Sequence, residues 1–355
     1  MPCYVSKNRS SLRAQSSFQE TDRRTRPSIR QPAPQMLPMV NLRGPFYPYS
    51  HYLRQRFLRP VRKLCVDAGF TCPNLDGTKG RRGCAFCNNA AFSAGSRGPR
   101  RDLPEQFARG RRYLARRYGP SDYIIYFQAY SNTYGPVPEL ERLYRTFRDE
   151  PDVVGIAIGT RADCLNREIL DLLDDLACDT HVTLEVGIQS IHDRTLQRVR
   201  RGHTWRDTAT ALEACAERRF DLCLHLILGL PGEGRREVCE AATTLATYPY
   251  HSVKLHNLHV VRDTTLADTY RAGRLTLPDV TTYISWVADF LERTPATVAV
   301  QRLVGDAPPE LLLSDPWCHD KQGAYRRLTE EFHRRGSRQG ALCTAATSAT
   351  TTISA

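Results

Sequence analysis

The sequence contains no apolar run of about 18 residues, the length that a membrane-spanning helix needs. A membrane span is therefore excluded. The N-terminal residues also lack the apolar segment of a secretory signal. We therefore expect a protein that is not exported and that acts in the cytoplasm.

Acidic residues are scarce relative to basic ones. The 355 residues include 38 Asp and Glu against 50 Lys and Arg, which gives a formal net charge of +12. A basic balance permits a polyanionic partner such as nucleic acid but does not identify one. A solvated, arginine-rich surface explains the same charge.

The chain has twelve cysteines, which need an explanation in a protein that is neither short nor secreted. A disulfide framework is not expected in such a protein. Five of them lie singly within apolar patterns and are interpreted as buried small hydrophobic residues, namely Cys164, Cys178, Cys215, Cys223 and Cys239. Four others, clustered early in the chain, require separate treatment.

The two ends of the chain differ in composition from its middle. Residues 1–46 are rich in Ser, Arg, Pro and Gln without hydrophobic periodicity, which predicts a disordered basic tail. Residues 344–355 are almost all Thr, Ala and Ser, which predicts a second disordered tail. Between the tails we expect a core domain over residues 47–300 and a C-terminal extension over residues 301–343.

Strand-like and helix-like segments alternate between the tails. Asp102 and Glu105 have the spacing of a capping box and predict the start of a helix. Strands separated by helices predict right-handed βαβ units and an α/β fold. Six strands are too few for a closed eight-stranded barrel, so we expect a partial (β/α)6 barrel of TIM type, with ligands at the C-terminal ends of the strands. The strand-like runs are Val61–Val66, Tyr123–Phe127, Val153–Ile158, Val182–Val186, Leu222–Leu228 and Val253–Val260.

A glycine-rich loop with three cysteines, here called the cysteine loop (residues 67–92), follows the first predicted strand. Cys72, Cys84 and Cys87 offer soft thiolates that suit either zinc or an iron–sulfur cluster. Structural zinc requires four ligands, and the fourth candidate is Cys65 inside the strand. A cluster held by three cysteines would leave one iron open for a cofactor or substrate. No second Cys-x-x-Cys pair occurs, so we expect one cluster at most.

Further motifs give the sequence a specific resemblance. They are Tyr126–Thr133 (YFQAYSNT), Gly159–Cys164 (GTRADC), Leu184–Ser190 (LEVGIQS), Arg201–His203 (RGH), His225–Glu233 (HLILGLPGE), Lys254–His259 (KLHNLH) and Pro316–Cys318 (PWC). Together with the cysteine loop, they resemble radical S-adenosylmethionine (SAM) enzymes, most closely the YhcC/YtqA-type family of the elongator-catalytic-subunit branch. The resemblance covers about residues 48 to 342 and makes residues 47–300 a radical SAM core with a family-specific extension.

The resemblance implies a 4Fe–4S cluster held by Cys72, Cys84 and Cys87, with SAM bound at the open iron. Reductive cleavage of SAM gives a 5′-deoxyadenosyl radical, which abstracts hydrogen from a substrate. A one-electron donor such as flavodoxin or ferredoxin is implied as a partner. Cys65, by contrast, is interpreted as a packing residue.

The same resemblance implies a set of contacts to cofactor and substrate. Phe86 is expected against the adenine, Gln128 and Ser131 at the methionine amino group, and Glu185 and Gln189 at the ribose and carboxylate. Gly229 and Gly232 would let the backbone approach the adenine. The expected substrate residues are His256, His259 and Arg302.

The substrate is less well defined by the sequence. Eight arginines between Arg97 and Arg117 could line a basic helix face for phosphate contacts or form a solvated face. Kinship with tRNA-modifying enzymes favours tRNA, with a wobble-uridine side chain as the target. Two alternatives stay open: a radical SAM enzyme acting on a peptide or metabolite, and a zinc-stabilised RNA-binding module in which Cys65 is the fourth ligand.

Overall fold

The computed structural model describes residues 44–92 and 102–344. The predicted tails, apart from residues 44–46 and 344, lie outside the described residues. Within the described part of the chain, every helix is too short or too polar to cross a membrane.

Seven parallel strands form one curled sheet, a half-barrel in which each strand pairs with its neighbours in chain order. This confirms the α/β class and the partial barrel. The seventh strand was not predicted, and it crosses the domain boundary predicted at residue 300, so the domain division itself stays a prediction. The strands are β1 (Val61–Val66), β2 (Asp122–Phe127), β3 (Val153–Thr160), β4 (His181–Gln189), β5 (Asp221–Leu228), β6 (Ser252–Asn257) and β7 (Ala299–Arg302).

Helices connect the strands and cover the outside of the sheet. The predicted helix start is confirmed: the Asp102 carboxylate accepts a hydrogen bond of 2.8 Å from the Glu105 backbone N–H and caps α3. The helices are α1 (Tyr49–Arg56), α2 (Asn89–Phe92), α3 (Leu103–Tyr118), α4 (Val137–Tyr144), α5 (Arg167–Asp179), α6 (Asp193–Arg198), α7 (Trp205–Ala214), α8 (Arg235–Leu245), α9 (Thr265–Arg271), α10 (Val280–Arg293) and α11 (Lys321–Arg335).

Alternation along the strands separates a hydrophobic outer face from a polar inner face. Successive side chains of a strand point to opposite faces of the sheet. In β4, Val182, Leu184 and Val186 belong to the main hydrophobic core beneath the helices. The residues between them, including Glu185, therefore face the inside of the half-barrel, as do Lys254 in β6 and other polar residues of β1 and β5.

The N-terminal segment closes the lower end of the half-barrel. The Val300 N–H donates a 2.7 Å hydrogen bond to the Tyr47 carbonyl, so this segment extends the sheet beyond β7. The first residues of this segment also bind the end of the chain, because the Tyr47 N–H donates to Gln339 Oε1 at 2.8 Å. Tyr52 of α1 packs against the inner residues Ile124 and Tyr126. The remaining opening of the half-barrel is at the C-terminal ends of the strands.

Candidate active site

A cavity of about 760 Å³ lies at the C-terminal ends of the strands. Its walls come from the cysteine loop, from inner-face residues of the strands and from residues 302–310. This volume is within the range of small-molecule and cofactor sites. Cys72, Cys84 and Cys87 all line it, as the sequence predicts for residues that follow the first strand.

The fold of the cysteine loop depends on Asn74 and on the Arg201–His203 motif. The Asn74 amide donates hydrogen bonds of 2.9 Å to the carbonyl oxygens of Arg200 and Arg201, and it lies 3.3 Å from the Cys84 sulfur. Gly202 has φ of +76°, and a Cβ there would lie 2.4 Å from Asn74 Oδ1. Glycine is therefore needed both for the backbone conformation and for the close approach of the loop.

Two buried guanidinium groups approach the thiols. Arg201 Nη1 lies 3.6 Å from the Cys84 sulfur, and Arg161 Nη1 lies 3.9 Å from the Cys72 sulfur. Burial, with Cys84 and Cys72 nearby, raises the pKa of the Cys87 thiol to about 12. Metal binding replaces such thiol protons, and nearby cations then stabilise the thiolate charge. The donor set therefore fits an anionic thiolate-bound metal centre.

The arrangement of the sulfurs favours a cluster over a single zinc ion. Zinc holds all its ligand atoms close together around one centre. Among the described residues, one group of three or more His, Cys, Asp or Glu has its ligand atoms within 4.8 Å of one another, and it consists of Glu185, Cys223 and His225. The three loop cysteines do not form such a group, whereas an iron–sulfur cluster binds each thiolate to a different iron. The loop therefore fits an iron–sulfur cluster better than a zinc module.

The prediction that Cys65 is a packing residue is also wrong. Cys65 lies between Leu64 and Val66, which face the hydrophobic core, so its own side chain faces inward. It is exposed to the cavity, and its sulfur lies 3.1 Å from Gln128 Oε1.

Glu185 forms the centre of a buried charge cluster. Its carboxylate accepts hydrogen bonds from the ammonium groups of Lys63 and Lys254, and His225 Nε2 lies 2.9 Å from Oε2. Burial opposes the charged carboxylate, but the two lysines together hold its pKa well below the usual range. The Glu185 side chain is fully buried. Glu185 therefore holds Lys254 in place, and it also lines the cavity. Its contact with the ribose and carboxylate of SAM stays a prediction.

Lys254 is a buried cation of the cavity with a lowered pKa. Burial lowers its pKa to about 8, although Glu185 acts in the opposite direction. Burial and the nearby Lys254 also lower the pKa of His225 to about 4, so this imidazole is neutral. The ammonium groups of Lys63 and Lys254 already neutralise Glu185, so the group of Glu185, Cys223 and His225 is not suited to a metal ion.

Four of the other predicted cofactor residues line the cavity, and two do not. Phe86, Gln128, Ser131 and Gln189 are all part of its wall. The approach of the adenine to the backbone of the two glycines stays a prediction. Gly229 and Gly232 have φ of +86° and +90°, and Cβ atoms there would meet Pro278 and Arg198. These glycines serve the turn after β5, outside the cavity wall.

The three predicted substrate residues His256, His259 and Arg302 also line the cavity. Sequence reasoning missed Lys254, Lys63, Arg161 and Arg201. The sequence did indicate a partner for Glu185, because an acidic residue in a hydrophobic strand requires a buried partner. Lys63 and Lys254 were candidates, since both lie in predicted strands of the same sheet.

Comparison with known proteins agrees with this geometry. Residues 77–245 match the radical SAM superfamily, and residues 250–334 match the radical SAM C-terminal domain. The chain is 34% identical over 304 residues to YtqA of Bacillus subtilis, covering 85% of this chain and 94% of YtqA. It is 34% identical over 291 residues to YhcC of Escherichia coli K12, covering 82% of this chain and 93% of YhcC.

More distant similarity extends to Elongator complex protein 3. The Danio rerio protein is 29% identical over 171 residues, which cover 47% of this chain and only 30% of that protein. The solved structure of Methanocaldococcus infernus Elp3 with an N-terminal deletion superposes with a TM-score of 0.58 at 17% identity. The superposition covers 79% of this chain and 64% of the Elp3 chain, which is less than two thirds of Elp3. This similarity supports the fold.

The half-barrel, the three thiols at its open end and the superfamily match define a radical SAM enzyme. Such enzymes use a 4Fe–4S cluster and SAM as cofactors. The chain belongs to the family of YtqA and YhcC.

Arg201 is expected to raise the reduction potential of the cluster. A nearby cation stabilises the reduced, more negative state, so Arg201→Gln should shift the potential in the negative direction, on the order of tens of millivolts. Arg201→Lys should shift it less. Potentiometric titration followed by electron paramagnetic resonance measures both variants.

The matched control for this titration is Arg198→Gln. Arg198 donates to the Pro231 carbonyl on the exposed surface. A potential of Arg201→Gln equal to that of this control would contradict the assignment.

Proposed function

We propose that this enzyme uses its radical chemistry on tRNA and modifies the 5-carboxymethylaminomethyl side chain of a wobble uridine. The proposal rests on one observation above others, the exposed basic face of α3 beside the cavity. The similarity to Elongator complex protein 3 supports it, since that branch is related to tRNA-modifying enzymes.

Within this proposal the cavity residues divide into two groups. Cys72, Cys84 and Cys87 hold the cluster, which with SAM supplies the 5′-deoxyadenosyl radical. Phe86 packs on the adenine, and a second set of residues binds the polar parts of SAM, namely Gln128, Ser131 and Gln189. The enclosed walls of the cavity keep water away from the reacting atoms.

The basic face of α3 consists of five exposed arginines, Arg109, Arg111, Arg112, Arg116 and Arg117. Arg111 pairs with Asp152 at 2.9 Å. In the described part of the chain, Arg109, Arg112 and Arg116 form no ion pair. Three further arginines of the predicted stretch, Arg97, Arg100 and Arg101, lie outside the described residues.

Exposed aromatic rings accompany these arginines. Tyr113 and Tyr118 are 54% and 48% exposed. The Arg62 guanidinium lies 4.2 Å from the centre of the Tyr118 ring. Aromatic and guanidinium planes at a basic surface offer stacking positions for unpaired bases.

The position of α3 links this surface to the cavity. Gln106 in its first turns exchanges two hydrogen bonds of 2.8 Å with the backbone of Asp67, where the cysteine loop begins. The helix has 16 residues and is therefore about 24 Å long. An RNA strand on this face would extend from the rim of the cavity along the outside of the half-barrel.

The test combines binding and modification. The double variant Arg112→Glu and Arg116→Glu should bind tRNA at least about tenfold more weakly, with a smaller salt dependence, because phosphate contacts release counterions. Filter binding across a salt series measures this. Arg327→Glu on the exposed face of α11 is the matched control.

Modification is followed by nucleoside mass spectrometry of tRNA incubated with the enzyme, SAM and a reductant. The proposal predicts a change in mass of the modified wobble uridine. If that nucleoside stays unchanged while SAM is cleaved equally with and without tRNA, the substrate is a peptide or a metabolite instead.

A further inference from the structure

Arg302 in the cavity wall is set apart from the other charged groups there. Glu185 pairs with Lys254, and Asp306 pairs with Lys321 at 2.8 Å. The third carboxylate of the wall is Glu310. Within the described residues, no carboxylate lies in ion-pair contact with Arg302. The Arg302 guanidinium is half-buried and lacks a counterion, so an anionic ligand would stabilise its charge.

Lys254 lies deeper in the half-barrel than the cysteine loop. It is three residues before the end of β6, at Asn257, which corresponds to a depth of about 10 Å below the strand ends. The cysteines are in a loop that follows the end of β1. SAM bound to a cluster at the cysteines would place its methionine carboxylate at the cysteine end of the cavity, apart from Lys254, which pairs with Glu185 at the deeper end.

Two histidines lie in the same wall between these cations. Burial, followed by the effect of Arg302, lowers the pKa of His256 well below its usual range. Burial also lowers the pKa of His259. Neutral imidazoles serve as hydrogen-bond donors or acceptors for a ligand.

His259 has an unused polar atom. It is only 8% exposed, its Nδ1 lies 3.1 Å from the Asn257 carbonyl, and its buried Nε2 has no partner among the described residues. Buried polar atoms in native proteins are almost always hydrogen-bonded, so the missing partner indicates a ligand.

We propose that Lys254, His256, His259 and Arg302, here called the inner wall, bind a substrate that carries a carboxylate group. Arg302 supplies a planar fork that matches a carboxylate, Lys254 adds a point charge held in place by Glu185, and His256 offers a hydrogen-bond donor. The Nδ1–H of His259 donates to the Asn257 carbonyl, so its Nε2 accepts a hydrogen bond from an N–H or O–H group of the same substrate. The inference rests on the proposed function only in taking this cavity as the substrate site. It holds for a nucleoside, a peptide or a metabolite that has a carboxylate.

The test uses pairs of ligands that differ only in charge. Isothermal titration calorimetry of the cluster-loaded enzyme compares 5-carboxymethyluridine with 5-carbamoylmethyluridine, and N-acetylglycine with N-acetylglycinamide. The acid of at least one pair should bind about tenfold more tightly than its amide. Uridine 5′-monophosphate serves as the phosphate probe.

Arg302→Gln is the decisive variant because Arg302 has no ion-pair partner within residues 44–92 and 102–344 whose loss would destabilise the fold. It should reduce the preference for the acid to less than about twofold, and Lys254→Met should do the same. Arg274→Gln, an exposed arginine outside the cavity, should keep the wild-type preference. The cluster absorbance of each variant verifies that the site is intact.

Each outcome decides a different question. A preference confined to the nucleoside pair supports both the carboxylate site and the tRNA proposal. A preference confined to the peptide pair supports the carboxylate site and contradicts the tRNA proposal. Equal binding of every acid and its amide, tighter binding of the phosphate probe, or a preference unchanged in Arg302→Gln overturns the inference.

Discussion

Cys84→Ala is expected to remove the iron–sulfur cluster and to abolish SAM cleavage. Cys84 is buried at the centre of the cysteine loop, where Asn74 and Arg201 both contact its sulfur. Without that thiolate, two cysteines remain for a cluster that needs three protein ligands. Cys72→Ala and Cys87→Ala should have the same effect.

The measurement is an anaerobic visible spectrum with iron and sulfide analysis. The charge-transfer band at ~400 nm should be present in the wild type and absent from Cys84→Ala. Cys65→Ala is the matched control, because Cys65 also lines the cavity but approaches Gln128 rather than the loop thiols. Loss of the band in Cys65→Ala, or its persistence in Cys84→Ala, would show that the ligand set is assigned incorrectly.

The second large effect is expected on stability. Glu185→Gln should lower the free energy of unfolding by roughly 3–5 kcal/mol, because it leaves Lys63 and Lys254 buried without their counterion. Urea unfolding followed by circular dichroism measures the difference. The double variant Glu185→Gln and Lys254→Met should recover part of the loss, since it also removes one of the unpaired charges.

Glu141→Gln provides the control for this experiment. Glu141 pairs with Arg145 at 2.9 Å on the surface of α4, and its side chain is 47% exposed. Exposed pairs of this kind contribute about 0–1 kcal/mol. A loss in Glu185→Gln no larger than in this control would mean that the lysines find other partners or lose their protons.

The sequence predicted those parts of the fold that depend on local patterns. Short runs rich in β-branched and other apolar residues predicted six of the strands, and the position of the cysteine loop after the first of them placed the thiols at the open end. The four residues of β7 are too few to show an alternation, and only pairing with β6 and Tyr47 makes them a strand.

The site was predicted less completely because its contacts join residues that are far apart in the sequence. Lys63 and Lys254 lie 122 and 69 residues from Glu185, and only the curvature of the sheet brings them together. Glycines raise a different difficulty. Gly229 and Gly232 indicate unusual backbone conformations, but a sequence does not tell whether the space beside a glycine holds a cofactor or a neighbouring side chain.

The contact between Tyr47 and Gln339 has a consequence for the folding of the chain during its synthesis on the ribosome. The two residues are 292 positions apart, and synthesis proceeds at roughly 5–20 residues per second, so Tyr47 emerges roughly 15–60 s before its partner. During this interval the lower end of the half-barrel is not yet closed. The closure of that end is therefore one of the last steps in the folding of the newly made chain.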